Sequence, residues 1–295
     1  CAAATLDMRR GLTKVLLQCA YAKDRVAIYY SMPSILGTTI TGFGEPREHR
    51  YGWLWAVKDC GINPKYVTCL DVRANGISRK DFDVLILPMT MAMSPEEAVA
   101  VRRFVQEGGT VLADALPALL SGHCRKRPAG ALDDVFGVRH DDAAGPDAPT
   151  GELRLSGEAH GLTLGEWAEG TQLFTRRVAL AGGRALGTLN GAPAFIVHRF
   201  GQGKACYLNL GMPRYLQARA SGKEGVLRER MRVILDWAGA IPIVRIVSPE
   251  GKPVDKLEIF RHVRGETQII GCVLNQPSPV PARLTLPKDG HLYDA

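Results

Sequence analysis

The 295-residue chain is 46% hydrophobic and 23% charged, with a net charge of +7. That balance supports a sizeable core and excludes a disordered or collagen-like class. No apolar run approaches the roughly 20 residues needed to cross a bilayer, and the basic residues form no stripe interleaved with aromatics, so neither a membrane nor a nucleic acid is an expected partner.

The seven cysteines, at positions 1, 19, 60, 69, 124, 206 and 272, form no CxxC pair, and no Cys/His cluster has metal-ligand spacing. They read as free thiols, and neither a metal nor a cofactor is expected. The start, Cys1-Ala2-Ala3-Ala4-Thr5, has no initiator Met and no signal-peptide pattern, which points to a chain that begins inside a longer polypeptide.

In chain order, Leu6, Leu12, Val15, Leu16 and Cys19 predict a helix over residues 5–22, assigned with residues 1–23 to the tail of an upstream domain. Residues 24–30 predict a first strand, ending in the hydroxyl-rich turn Ser31-Met32-Pro33-Ser34 and a glycine-rich loop through Pro46. A helix follows over 47–60, then a strand over 63–70 and a polar turn over 77–80. Val84-Leu85-Ile86-Leu87 is a continuous apolar run, as in a strand buried on both faces. Ser94-Pro95-Glu96-Glu97 starts a helix with an N-cap, a first-position proline and a capping-box acid. Val99, with Ala98, Val101, Phe104 and Val105, is assigned to its apolar face, and Gly108-Gly109 ends it before the strand Thr110–Ala113.

Residues 24–114 therefore predict an α/β fold with a doubly wound, mostly parallel sheet. A short helix over 129–136 and an exposed acidic loop over 141–150 come next. Residues 152–209 predict a β-rich insertion, with Asn190-Gly191 and Gly201-Gln202-Gly203 as hairpin turns, and a helix covers 221–239. Past Pro242, alternating strands at 244–247, 257–264, 267–274 and 282–286 read as the start of a C-terminal β-sandwich-like domain. The expected domains are 24–240 and 241–295.

Open α/β sheets bind ligands at the carboxyl ends of their strands. Ser31, Thr90 and Asp114 stand there and are the candidate crevice residues. A hydrolase would carry a nucleophile in the turn after Ala113, but that turn is Asp114-Ala115-Leu116-Pro117. Asp114 reads either as a ligand-binding carboxyl or as a structural acceptor for the loop. Cys124, between His123 and Arg125, or Ser31 would be the nucleophile of a small-molecule amidase or hydrolase. Glu96-Glu97 and Asp133-Asp134 suit helix first turns better than a glycosidase acid pair. The histidines read as isolated. Trp53 and Trp55, two apart on a helix, cannot share a face, so one packs inward and the other is a candidate interface or sugar contact.

Six short motifs, in order, carry a resemblance: Val26–Ser31 with Ser34; Asp83–Pro88; Ser94–Glu97; Phe104–Val111; Leu132–Val138; and Phe200–Ala205. With this spacing the chain resembles the β-galactosidase trimerisation domain of family-42 glycoside hydrolases. The resemblance implies a class I glutamine amidotransferase-like fold without the amidotransferase nucleophile. It implies a non-catalytic module placed between a barrel that holds the catalytic carboxylates and a small β-domain. The implied partners are copies of itself, as a trimer, and carbohydrate through the parent enzyme. The alternative reading is a hydrolase or ligand-binding α/β domain at the strand ends.

Overall fold

The computed structural model describes residues 6, 11–41, 44–141, 150–155, 157–165, 167–172, 175, 177–252, 254, 256–275 and 278–285. They fall into two compact units, one of Arg25–Val57 and Pro64–Ile241, the other of Cys1–Asp24, Lys58–Asn63 and Pro242–Ala295.

The larger unit is built on a nine-stranded sheet. Its strands are β1 (Val26–Tyr30), β2 (Lys65–Thr68), β3 (Val84–Leu87), β4 (Thr110–Ala113), β5 (Thr150–Leu155), β6 (Trp167–Gln172), β7 (Arg184–Leu189), β8 (Ala192–Phe200) and β9 (Gly203–Tyr207). Their spatial order is β6-β5-β7-β8-β9-β4-β3-β1-β2. From β9 to β2 every pairing is parallel, with Val84 opposite both Val26 and Thr110, and Lys204 opposite Thr110. From β9 to β6 every pairing is antiparallel. The α/β architecture expected from the sequence is present. The β-rich segment, expected as an insertion, extends the same sheet, because β9 accepts β4 on one side and hairpins with β8 on the other. Gly203 permits that junction: a Cβ there would lie 2.2 Å from the carbonyl oxygens of both Gly109 and Val105.

The helices of this unit are α1 (Met32–Thr41), α2 (Pro46–Asp59), α3 (Cys69–Asn75), α4 (Pro95–Gln106), α5 (Asp133–Phe136), α6 (Pro213–Ala220) and α7 (Gly225–Ala238), α2 running two residues beyond the unit. The predicted capping box of α4 forms: the Ser94 hydroxyl accepts the Glu97 amide and the Glu97 carboxyl accepts the Ser94 amide. Ala98, Val101, Phe104 and Val105 face the core with Leu85, Leu87, Val111 and Tyr207. Val99 is exposed and lies off the apolar face to which the sequence assigned it.

Three helices depart from the expectations. α1 replaces the predicted turn and loop. Gly37 and the β-branched Ile35, Thr38, Thr39 and Ile40 are weak helix formers, but the Ser31 hydroxyl accepts the Ser34 amide and caps the helix start. α3 follows β2 directly because Thr68 and Asp71 form a second capping box. α6 precedes α7, where a single helix from Ser221 was expected. The acidic stretch predicted as a loop lies, over 142–149, outside the described residues.

Arg25 and Asp83 tie the entry of β1 to that of β3. Arg25 Nε donates to Asp83 at 2.7 Å, its Nη2 at 3.0 Å, and Arg79 donates to the same carboxyl at 2.9 Å. The Arg25 hydrogen bond, helped by Arg79, holds Asp83 below the usual carboxylate range. A lowered folded-state pKa stabilises above the unfolded value of about 3.9 and is lost as pH falls through the folded value. The pair is partly exposed and screened, so its contribution is about 1 kcal/mol. Asp83→Asn is expected to lower stability by about that amount at neutral pH and by nothing near pH 2, in urea titrations at both pH values.

In the smaller unit, the segment predicted as a helix over 5–22 is helical at Leu12–Leu16 and becomes a strand at Ala20–Ala22. That strand pairs antiparallel with Leu257–Arg264, which pairs with Thr267–Leu274. The waiting ladder of Arg261–Val263 overrides the local helical period. Arg245–Val247 pairs with Arg283–Thr285. Asp24 joins the unit's separate segments by accepting the amides of Asn63 at 2.6 Å and Ile243 at 3.0 Å.

Candidate functional site

The carboxyl ends of β3, β4 and β9 meet at one edge of the sheet, and Asp114 stands at its centre, fully buried. Its Oδ2 is 2.6 Å from His49 Nδ1, and its Oδ1 accepts the Met89 amide at 2.7 Å. Its carbonyl accepts the Leu210 amide at 3.0 Å. One residue thus fastens α2, the turn after β3 and the segment after β9. Of the two roles the sequence allowed, the geometry is that of a structural acceptor.

The other crevice candidates are spent locally. Thr90 is fully buried; its hydroxyl donates to the Pro88 carbonyl and its own carbonyl accepts the Ala118 amide at 2.8 Å. The Ser31 and Ser34 hydroxyls lie 2.8 Å apart and each is within hydrogen-bond reach of the Ala92 carbonyl, at 3.1 and 3.3 Å, so their two protons serve three contacts. Met89, Met91, Ala115 and Leu116 form a separate apolar cluster, with Leu119 and Leu120 against it. Its members follow the carboxyl ends of β3 and β4. The backbone there is strained: Met89, Leu116, Ala118 and Asn209 have φ of 36°, 40°, 58° and 56°. Left-handed conformations cost non-glycine residues about 1–2 kcal/mol each and gather at functional sites. Here they lie among residues that are at most 3% exposed.

A second buried network adjoins this edge; in the sequence its histidine reads as isolated and its acid as a helix first-turn residue. Asp133 Oδ1 is 2.7 Å from His140 Nδ1, and its Oδ2 accepts the amides of His140 and Gly130. His140 Nε2 is 3.5 Å from the Tyr207 hydroxyl, which donates to Asn209 Oδ1 at 3.0 Å. Asn209 also accepts the Thr175 amide and donates to the carbonyls of Thr175 and Pro193. Burial, reinforced by Asp114 and Asp133, drives the Tyr207 hydroxyl far above its ordinary pKa, so it stays protonated. No local sequence signal marks this network, since its partners come together only through the fold.

The candidate nucleophile Cys124 is a packing group. Its thiol donates to the Pro33 carbonyl at 3.3 Å and lies against Gly37, and burial pushes its pKa up, opposite to the shift an attacking thiolate needs. Trp53, a candidate surface aromatic, is fully buried and so is not a surface contact. Gly52 brings α2 close enough to bury it: a Cβ there would sit 2.3 Å from the Met212 carbonyl oxygen. Trp55 is half-buried beneath the Arg219 guanidinium, 4.0 Å from its ring centroid.

A family described as the β-galactosidase trimerisation domain matches residues 67–221, just over half of the chain. The chain belongs to that family. The matched span opens within β2 and runs past α6, so it holds Asp114, the Met89–Leu116 cluster and the Tyr207–Asn209 network. The fold is similar to that of a cold-adapted β-galactosidase from Rahnella sp. R3, at a TM-score of 0.64 and 16% identity over 91% of this chain and 38% of that one. It is also similar to a β-galactosidase from Bacillus circulans sp. alkalophilus, at 0.57 and 18% over 84% and 35%. An α-L-fucosidase from Paenibacillus thiaminolyticus matches at 0.60 and 15% over 91% and 40%. The chain thus spans well under half the length of each of these structures. Among curated proteins no relative matches it.

Proposed function

We propose that this chain is a non-catalytic assembly module that joins copies of a β-galactosidase-like glycoside hydrolase into a trimer and lines part of a neighbouring subunit's sugar site. The observation that carries this reading is Asp114. It occupies the turn where a glutamine amidotransferase-like sheet would hold its nucleophile, and it is buried and committed to His49 and the Met89 amide. The module's fold is of the class I glutamine amidotransferase-like type, doubly wound around β1, β3 and β4. Residues 24–240 form the trimerisation domain, residues 1–23 trail from an upstream domain, and residues 241–295 begin a C-terminal β-domain of sandwich type. Carbohydrate is a partner through the parent enzyme. Neighbours named for galactose and for fucose chemistry share the fold, which supports a module that is indifferent to the parent's substrate.

The test is an assay of this chain with aryl β-galactosides and simple aryl esters and amides. No turnover above buffer is expected. Turnover that Asp114→Asn or Cys124→Ala abolishes would replace this reading with chemistry at the strand ends.

A further inference from the structure

α1 is built inside out. A surface helix ordinarily turns its large apolar side chains inward. Here Ser34 and Gly37 are buried, while Met32, Leu36 and Ile40 are 46%, 56% and 76% exposed. Spaced by four, these three form one stripe along the helix. The hydroxyls of Ser31 and Ser34 fix this orientation by binding the Ala92 carbonyl, and Gly37 lets the helix lie against Cys124.

The stripe is not alone. Tyr30 and Thr68 are paired at the ends of β1 and β2, and β2 is the last strand of the sheet. Met32 follows two residues after Tyr30, and Leu70, 66% exposed, two residues after Thr68. Both therefore leave the same corner of the sheet. Beside them Arg50 stacks on Tyr30 at 4.6 Å and reaches Tyr51 at 5.8 Å, and Tyr51 and Tyr66 remain exposed. Tyr and Arg next to apolar anchors are the side chains that dominate protein interfaces.

Resting on the assembly function proposed above, we infer that the Met32–Leu36–Ile40 stripe of α1, with Leu70, is a surface on which another copy of this chain docks. Charge selects that occupant. The chain carries +7, yet Met32–Thr41 contains no charged residue. Repulsion between copies of a basic chain is weakest where a segment without charges, such as Met32–Thr41, lies at the contact. An acidic partner would gain more elsewhere on this surface. An apolar stripe left in water on a monomer is a liability, and one covered in a closed ring of copies is not.

Sedimentation velocity across micromolar concentrations tests this on the 295-residue chain, on Leu36→Arg/Ile40→Arg, and on the milder Leu36→Ser/Ile40→Ser. Val99→Arg and Val226→Arg, exposed on other helices, are the controls. The wild type and both controls are expected to associate. The α1 variants should keep the wild-type circular dichroism and melting, and should dissociate with a constant raised about tenfold or more. Association of folded α1 variants as strong as wild type would overturn this surface and leave the proposed function standing. A folded wild type that stays monomeric would overturn both and assign the stripe to a different occupant.

Discussion

Asp114→Ala is expected to destabilise the larger unit by about 2–5 kcal/mol, the cost of taking this partner from two buried polar groups. The groups are the His49 ring nitrogen at 2.6 Å and the Met89 amide at 2.7 Å. The His49 Nδ1 and the Met89 amide both lose this contact in a site that is at most 3% exposed. Asp114→Asn keeps an oxygen for the Met89 amide and a nitrogen that can face His49, so its cost should be smaller. Urea denaturation followed by tryptophan fluorescence reads both. A role confined to binding a ligand would leave the midpoint where it is in the wild type.

Asn209→Ala is expected to cost about 3 kcal/mol or more, because one buried side chain makes four hydrogen bonds. Its backbone adds to this: at φ 56°, asparagine is tolerated where alanine is strained by about 1–2 kcal/mol. Tyr207→Phe removes only the hydroxyl and should cost about 1–2 kcal/mol. Thermal unfolding orders the two. If Tyr207→Phe proved as damaging as Asn209→Ala, the load would rest on the His140 side of the network and not on the Thr175 and Pro193 carbonyls.

These two residues show what was legible in the sequence. Asp114 could be singled out because it follows an apolar run that had to be a buried strand, and its turn lacks a nucleophile. Its partner could not, since His49 lies 65 residues earlier on a helix. The spacing does carry a clue: His49 and Trp53 are four apart and share the buried face of α2. The network of Asp133, His140, Tyr207 and Asn209 had no comparable clue, because hydrogen bonds between distant segments leave no period. The strands with continuous or alternating apolar residues, the α4 capping box and the hairpins at Asn190-Gly191 and Gly201-Gln202-Gly203 were legible, since each depends on local chemistry alone. α1 was not, because its interior consists of poor helix formers and its stability comes from what Ser31, Ser34 and Gly37 touch.

Each departure from local rules at the strand-end edge is thus compensated by burial. Non-glycine residues in left-handed conformations, a buried His–Asp pair and a buried tyrosine are what an active site would display. In this chain Met89, Leu116, Ala118, Asn209, the His49–Asp114 pair and Tyr207 are at most 3% exposed, and their hydrogen bonds hold segments together. Among the described residues, the Met32, Leu36 and Ile40 stripe of α1 is an exposed apolar face, and it is the surface proposed above for assembly.

Native mass spectrometry of the chain, sprayed from a volatile neutral buffer at micromolar concentration, tests the assembly function most directly. The account predicts a dominant species of three chains, three times the 32.0 kDa monomer. A folded chain that remains strictly monomeric over that range would contradict it.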